Sequence, residues 1–252
     1  MEAHYLYLRG RKQEGFVTKA SFIEAGDFYE RAIALDPDYA EAYARLSIIT
    51  AVNGQFGWVE NSEQAYEKSL QLAEKAIQLN DRLPVAYWAH GRTLVRPQIG
   101  RHLRAIEEFK KSIALDPSFA DGYAMLALVY VFTGDAARGS DMIENAMQIN
   151  PFFPYWYYYA RGMTRYLQGD FTAAVEDLSK AAERNLTVFF IRFWLAASLA
   201  QDGRIEDAEW QLEELRSMGF DQTLIKVLEE PPLVHPAYRE KIIEGLRKAG
   251  FK

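Results

Sequence analysis

The sequence has no cysteine, and this absence excludes several kinds of site at once. Without thiols the chain can form no disulfide, no thiolate metal site and no cysteine nucleophile. It also has no uncharged apolar run of the ~18 residues that a membrane-spanning helix needs. Its first residues, MEAHYLYLRGRK, lack the apolar core and small-residue cleavage site of a secretory signal. We therefore expect a cytoplasmic protein that does not contact membranes.

Blocks of basic residues are missing as well. The net charge of the 252 residues is -6, and acidic and basic residues are interspersed along the chain. No Lys/Arg stripe flanks aromatic residues, as nucleic-acid-binding surfaces require for neutralising phosphates. The sequence therefore predicts no nucleic-acid partner.

Catalytic motifs are also lacking. No HExxH, GxSxG or GxxxxGK[ST] occurs. Neighbouring carboxylates on a helix point to different sides, so the adjacent acidic pairs are expected to be solvated. These pairs are Glu107–Glu108, Glu213–Glu214 and Glu229–Glu230. The histidines show no i, i+4 pair, and His90 is expected to pack in a core rather than bind a ligand. We expect no catalytic residue, no bound metal and no cofactor.

What the sequence does have is an internal repeat. The segments RAIALDPDYAEAYARLS (31–47) and KSIALDPSFADGYAMLA (111–127) are near-copies, and ENAMQINPFFPYWYY (144–158) is a looser third. Pro117 and Pro151 are 34 residues apart. A period of this length is typical of stacked helical pairs.

Turn residues mark where each helix of a pair ends. Because a residue before proline avoids the α region, LDPDY, LDPSF and INPFF predict the ends of second helices. Gly54, Gly134, Gly169 and Gly203 are expected to end first helices in the left-handed conformation. Gly139 lies within a second helix, which indicates close contact with a neighbouring helix.

These patterns predict an all-α fold, a right-handed α-α superhelix of six helical pairs plus a C-terminal capping helix. The pairs are predicted over residues 2–37, 40–81, 84–117, 120–151, 154–186 and 188–220. Residues 221–252 are predicted to form capping helices, since an apolar stripe there can cover the last repeat. The stripe consists of Tyr238, Ile242, Leu246 and Ala249.

The six units over residues 1–220 resemble tetratricopeptide repeats. A weaker resemblance covers the opening YLYLRGR, SLQLAEKAIQLND, INPFFPYWYYYARG and the ending EGLRKAGF. These phrases look like the C-terminal repeat region of bacterial class III adenylate or guanylate cyclases, and of winged-helix regulators with a TolB-like segment. This resemblance implies a regulatory or partner-binding module of a signalling protein. Any cyclase activity would lie in an upstream domain absent from this chain.

A binding groove can be predicted from the repeat register. First helices line the concave side of stacked pairs, and residues one, five or eight positions after the first-helix aromatic point into it. The predicted groove residues are Trp88, Arg92, Arg96, Leu128, Phe132, Trp156, Tyr159, Met163, Tyr166, Phe190 and Phe193. Aromatic and Arg anchors suit an apolar peptide or amphipathic helix rather than an acidic chaperone tail. A tightly wound solenoid could instead bury much of this set by itself.

The run FFPYWYYY (152–159) has seven aromatics in eight positions. The register assigns Phe152 and Phe153 to a turn, Tyr158 to the space between helices, and Tyr157 to packing on the preceding pair. Only Trp156 and Tyr159 are then expected to project toward the groove.

The sequence thus favours a non-catalytic scaffold that binds a protein or peptide, or its own upstream domain. Two alternatives stay open at this point. One is a homodimerisation module whose groove is filled by the partner copy, for example by the Trp58 loop. The other is a small-ligand sensor that uses the aromatic pocket near Trp156.

Overall fold

The computed structural model describes residues 1–96, 99–219 and 233–251, and these ranges are helical with short connections. They contain thirteen helices. The helices are α1 Glu2–Glu14, α2 Lys19–Leu35, α3 Ala40–Gln55, α4 Ser62–Leu79, α5 Pro84–Leu94, α6 His102–Leu115, α7 Ala120–Phe132, α8 Ala136–Ile149, α9 Tyr155–Gln168, α10 Phe171–Arg184, α11 Phe189–Gln201, α12 Ile205–Ser217 and α13 Pro236–Lys248. Consecutive helices pack as antiparallel pairs, which confirms the predicted class of six pairs plus a capping helix.

The chain divides into two compact units, Met1–Gly122 and Tyr123–Lys252, and the boundary lies inside α7. The first unit contains the pairs α1/α2, α3/α4 and α5/α6. The second contains most of α7 with α8, then α9/α10, α11/α12 and α13. None of the described helices is both long enough and apolar enough to cross a lipid bilayer.

Second helices end in a shared turn built by Asp or Asn. At five positions the residue after the helix is extended, and its side-chain oxygen accepts a hydrogen bond from the backbone N–H two residues later, at 2.9 to 3.2 Å. These residues are Asp36, Asn80, Asp116, Asn150 and Asn185. Two of the five turns, after Asn80 and Asn185, have no proline. The Asx turn is therefore the common signal, and proline reinforces it in the other three.

First helices end as predicted at three of the four glycines. Gly134, Gly169 and Gly203 have φ values of 98°, 94° and 84°, in the left-handed region. The prediction was wrong for Gly54, which lies inside α3, and Gly57 has the positive φ instead. A Cβ on Gly54 would lie 3.0 Å from the ring of Tyr66, so this glycine lets α4 approach α3 closely.

Interior glycines also allow close packing in the second unit. A Cβ on Gly139 would lie 3.0 Å from Val131 Cγ2, as expected from its place in a second helix. At Gly162 a Cβ would lie 2.6 Å from Leu178 Cγ, well inside van der Waals contact. The missing side chain at each glycine lets a side chain of the neighbouring helix pack against the helix backbone, and this packing offsets the poor helix propensity of glycine.

Two buried carboxylates lie between the helices of a pair. In the second unit, Asp177 on α10 accepts from Arg161 Nε and Nη2 on α9, both at 2.8 Å, and from Arg165 at 2.8 Å. In the first unit, Glu108 Oε1 lies 2.9 Å from Arg104 Nε and 3.3 Å from His90 Nδ1. Each buried charge thus has a cationic or polar partner, as burial requires.

The expectation that all adjacent acidic pairs are solvated was wrong for Glu108. Its neighbour Glu107 is exposed, but Glu108 faces α5 and is buried. Arg104, one turn earlier on α6, compensates the charge. In the pair Glu213–Glu214, the carboxylates contact Arg216 and Arg192 near the surface. Glu229 and Glu230 lie outside the described residues, as do residues 221–232 of the predicted capping region.

Candidate functional site

In the second unit, α13 lies across the carboxyl-terminal ends of the first helices. The backbone N–H of Val234, just before α13, donates to the Phe132 carbonyl at the end of α7, at 2.9 Å. Lys241 Nζ donates to the Leu167 carbonyl at the end of α9, at 2.9 Å. Lys248 Nζ donates to Gln201 Oε1 at the end of α11, at 2.6 Å. The chain therefore places its own helix on the surface where a groove was predicted.

Close packing and hydrogen bonds both hold α13 in this position. Gly245 lets the helix approach so closely that an added Cβ would overlap the Tyr166 hydroxyl and lie 2.9 Å from Ala197 Cβ. The Tyr166 hydroxyl donates to the Lys241 carbonyl at 2.6 Å. Beyond the helix, Phe251 packs against Phe193 on α11, with ring centroids 5.9 Å apart. Backbone, side-chain and aromatic contacts thus all secure the C-terminal segment.

Burial at the contact between α9 and α13 shifts the pKa of two groups. Desolvation raises the pKa of the Tyr166 hydroxyl well above its ordinary value. Desolvation also lowers the pKa of Lys241, although the nearby Glu244 carboxylate opposes this shift. Both pKa shifts favour the neutral form of the group, as expected where water is excluded.

Five predicted groove residues of the second unit are buried. They are Leu128, Phe132, Met163, Tyr166 and Phe193. Tyr166 and Phe193 contact the C-terminal segment directly. These five side chains of the first helices are therefore covered within this chain.

The amino-terminal ends of α9 and α11 remain partly exposed. Trp156, Tyr159 and Phe190, all predicted groove residues, lie here and are half-buried. The rings of Tyr159 and Phe190 are 5.1 Å apart, which joins the two helices through an aromatic pair. We call Trp156, Tyr159 and Phe190 the aromatic surface.

The aromatic run in α9 is divided among different environments. Tyr157 is fully buried, and its ring stacks on Phe153 at 5.5 Å. Tyr158 lies between α9 and α10, with the Arg184 guanidinium 4.7 Å from its ring centroid. Phe152, in the preceding turn, is 94% exposed. Only part of the run therefore belongs to a solvent-accessible surface.

The three predicted groove residues of the first unit are packed within that unit. Trp88 is only 7% exposed, and its indole Nε1 donates to the Asp121 carbonyl at 2.9 Å. Arg92 Nη2 donates to Gln55 Oε1 at 3.2 Å, and its guanidinium lies 5.7 Å from the Trp88 ring. Arg96 Nε donates to the Arg92 carbonyl at 3.3 Å. These contacts connect α3, α5 and the start of α7.

The predicted groove did not include the contribution of α13. One signal in the sequence pointed to it: Gly245 lies in the middle of an amphipathic helix, where a glycine costs about 1 kcal/mol relative to alanine. Such a glycine indicates close contact with another element. Within the three described ranges, no group of three or more His, Cys, Asp or Glu side chains could hold a metal ion.

Comparisons with known proteins agree with this architecture. Residues 157–187, which span α9 and α10, match a family model described as tetratricopeptide repeat. No curated protein matches the chain.

Among solved structures, a tetratricopeptide repeat protein from Parabacteroides merdae is similar over 98% of this chain and 92% of its own, with 12% identity and a TM-score of 0.53. A thermophilic TPR protein from Thermus thermophilus is similar over 80% of this chain and 99% of its own, with 22% identity and a TM-score of 0.54. The Cut9–Hcn1 hetero-tetramer of the APC/C is similar over 97% of this chain and 46% of the matched chain, with 14% identity and a TM-score of 0.66.

At these identities the structures show a shared fold, while the match over 157–187 comes from the sequence itself. The recurring helical pairs, the Asx turns between them and the matched segment agree with one another. Residues 157–187 are a tetratricopeptide repeat, and the chain shares its fold with solved tetratricopeptide repeat proteins.

Proposed function

We propose that this protein is a non-catalytic interaction scaffold whose second unit binds an apolar peptide or an amphipathic helix. The observation that carries this proposal is the position of α13. This amphipathic helix lies on α9 and α11, the two first helices that also carry the aromatic surface. The same two helices therefore present a surface that accepts an amphipathic helix.

The aromatic surface provides the remaining contact area. Trp156, Tyr159 and Phe190 are half-buried, so their rings are positioned by the fold while one side stays accessible. Aromatic side chains bury a large area at low entropic cost and dominate many interfaces. A partner segment can thus extend from these rings along the edge of α13.

A pull-down from native lysate tests this function. The Trp156→Ala, Tyr159→Ala double variant should lose the proteins that the wild-type chain retains, because it removes two anchors. Trp156 also packs edge-on against the buried Tyr157, with ring centroids 4.4 Å apart, so the fold of the variant is checked first. Trp210→Ala with Leu186→Ala is the matched control, since both side chains are more than 60% exposed elsewhere in the unit.

Retention of the same proteins by the folded double variant would contradict the proposal. Circular dichroism and the melting temperature establish that both variants are folded. The first-unit residue Trp88 is unsuitable for this purpose, because its burial makes truncation a test of stability.

A role as the regulatory module of a bacterial signalling protein, beside a cyclase or a DNA-binding domain, stays a prediction from resemblance alone. The reading frame upstream of this chain tests it directly.

Homodimerisation and small-ligand sensing also stay predictions. Light scattering would test the first, and tryptophan fluorescence titration would test the second.

A further inference from the structure

A second candidate binding site lies in the first unit, between the second helices α2 and α4. The two helices flank an open groove of about 1010 Å³ whose floor is α3. The connection between α3 and α4, residues 56–61, borders one end of it. This volume is at the upper end of the range for small-molecule sites, so the groove can take several side chains at once.

The groove has apolar side chains on its floor and along its edges. Leu46 and Ile49 on α3 line it and are buried, while Ile23 on α2 and Val59 in the connection line it and are 56% and 38% exposed. Exposed β-branched side chains facing one cavity are a surface that a partner could cover with a gain in apolar burial.

Trp58 fixes the connection against the groove wall. Its ring packs on the edge of Phe22 at 5.8 Å and stacks on Phe56 at 4.9 Å. Its backbone N–H donates to the Asn53 carbonyl at 2.9 Å. The connection of residues 56–61 therefore forms a wall that is held in place.

The charge around the groove is mainly negative. Four carboxylates line it, and Lys68 is the one ammonium group among its lining residues. Lys68 pairs with Glu30 at 3.4 Å, and Asp27 pairs with Arg31 at 3.5 Å. The carboxylates of Glu60 and Glu67 remain available for a cationic partner.

We propose that this groove binds a cationic amphipathic segment of a partner protein. Its apolar side chains would cover Ile23 and Val59, the exposed apolar side chains of the groove. Its Lys or Arg side chains would pair with Glu60 and Glu67. Apolar contact supplies affinity, and the carboxylates favour a positively charged partner. This site lies in the other unit from the aromatic surface and does not depend on the function proposed for it.

Selection from a displayed library of random 16-residue peptides tests the proposal on the full chain. Peptides are selected on the wild-type protein and counter-selected on the Glu60→Lys, Glu67→Lys double variant. The retained peptides should have net positive charge and an apolar stripe at helical spacing. Synthetic copies should bind the double variant about tenfold more weakly, and wild-type binding should weaken as salt rises.

The matched control is Glu176→Lys with Glu183→Lys on α10, which reverses two exposed carboxylates at the same sequence separation. It should leave peptide binding unchanged. The proposal is overturned if no peptide prefers the wild-type chain, if the retained peptides are neutral or acidic, or if the control weakens binding equally. A dimer that dissociates in the Glu60→Lys, Glu67→Lys variant would also overturn it, because a second copy would then occupy the groove.

Discussion

The hydroxyl of Tyr166 on α9 donates a 2.6 Å hydrogen bond to the backbone carbonyl of Lys241 on α13. The same hydroxyl occupies the space above Gly245 one turn later. A first-helix tyrosine that the sequence assigned to an open groove therefore belongs to the contact with the chain's own last helix. The docking of α13 can be tested by changing the residue that lets it approach.

Gly245→Ala should destabilise the protein by about 1–3 kcal/mol, because its Cβ would lie 2.9 Å from Ala197 Cβ and overlap the Tyr166 hydroxyl. Hydrogen exchange should show α13 amides losing protection before those of α10. Glu240→Ala, on the exposed side of α13, should change neither quantity. Unchanged protection of α13 in Gly245→Ala would contradict the packing described here.

Two interior glycines should respond to alanine in opposite directions. Gly162→Ala should cost about 1–3 kcal/mol, because the new Cβ would lie 2.6 Å from Leu178 Cγ. Gly26→Ala should be neutral or stabilising by up to about 1 kcal/mol, since its Cβ would meet Ile49 Cγ2 at an ordinary 3.6 Å and alanine favours helix. Urea unfolding of both variants measures this. If both variants changed the free energy of unfolding equally and with the same sign, the distance from the new Cβ to its neighbours would not decide the effect of alanine.

Asp177→Ala should destabilise the second unit by about 3 kcal/mol, because it leaves Arg161 and Arg165 without their shared buried carboxylate. The exposed pair Arg204–Asp207 provides the control. Removing that carboxylate in Asp207→Ala should cost less than about 1 kcal/mol. Thermal unfolding of the two variants side by side makes the comparison, and a similar loss in both would refute a special role for the buried pair.

Stability should decrease at alkaline pH because several tyrosines are buried. Burial raises the pKa of Tyr39 to about 12, and burial followed by the Glu14 carboxylate raises the pKa of Tyr29 further. Between pH 10 and these higher values, the unfolded chain releases protons that the folded chain retains. The stability that these tyrosines contribute is thus complete below pH 10, and it is lost as the pH rises through the pKa of each tyrosine in the folded protein.

Melting temperatures measured from pH 8 to pH 11.5 test this pH dependence. Tyr29→Phe should melt with a shallower decrease above pH 10, whereas Gly162→Ala should lower the whole curve and keep its slope. A slope unchanged by Tyr29→Phe would show that this hydroxyl does not contribute.

Sequence periodicity predicted the helical pairs because each repeat carries the same local signals. The Asx residue after five of the six second helices and the glycine after most first helices act over two or three residues, so they can be recognised without the fold. Gly54 was misassigned because a glycine that ends a helix and a glycine that admits Tyr66 look alike in sequence. Only the position of α4 distinguishes them.

The candidate site was harder to predict for a related reason. Which first-helix side chains face solvent depends on the docking of α13, and the stripe of Ile242 and Leu246 indicated a buried face without specifying what covers it. Glu108 shows the same limit. Arg104 lies on the same helix, but the burial of Glu108 depends on how α5, which carries His90, packs against α6.

The docking of α13 has a practical consequence for shortened versions of this protein. A chain cut after residue 219 would keep every repeat, yet it would uncover the Tyr166 hydroxyl and the ring of Phe193. Newly uncovered apolar side chains of this kind promote self-association. Such a fragment would bind proteins indiscriminately, so a screen for true partners needs the last helix as much as the repeats.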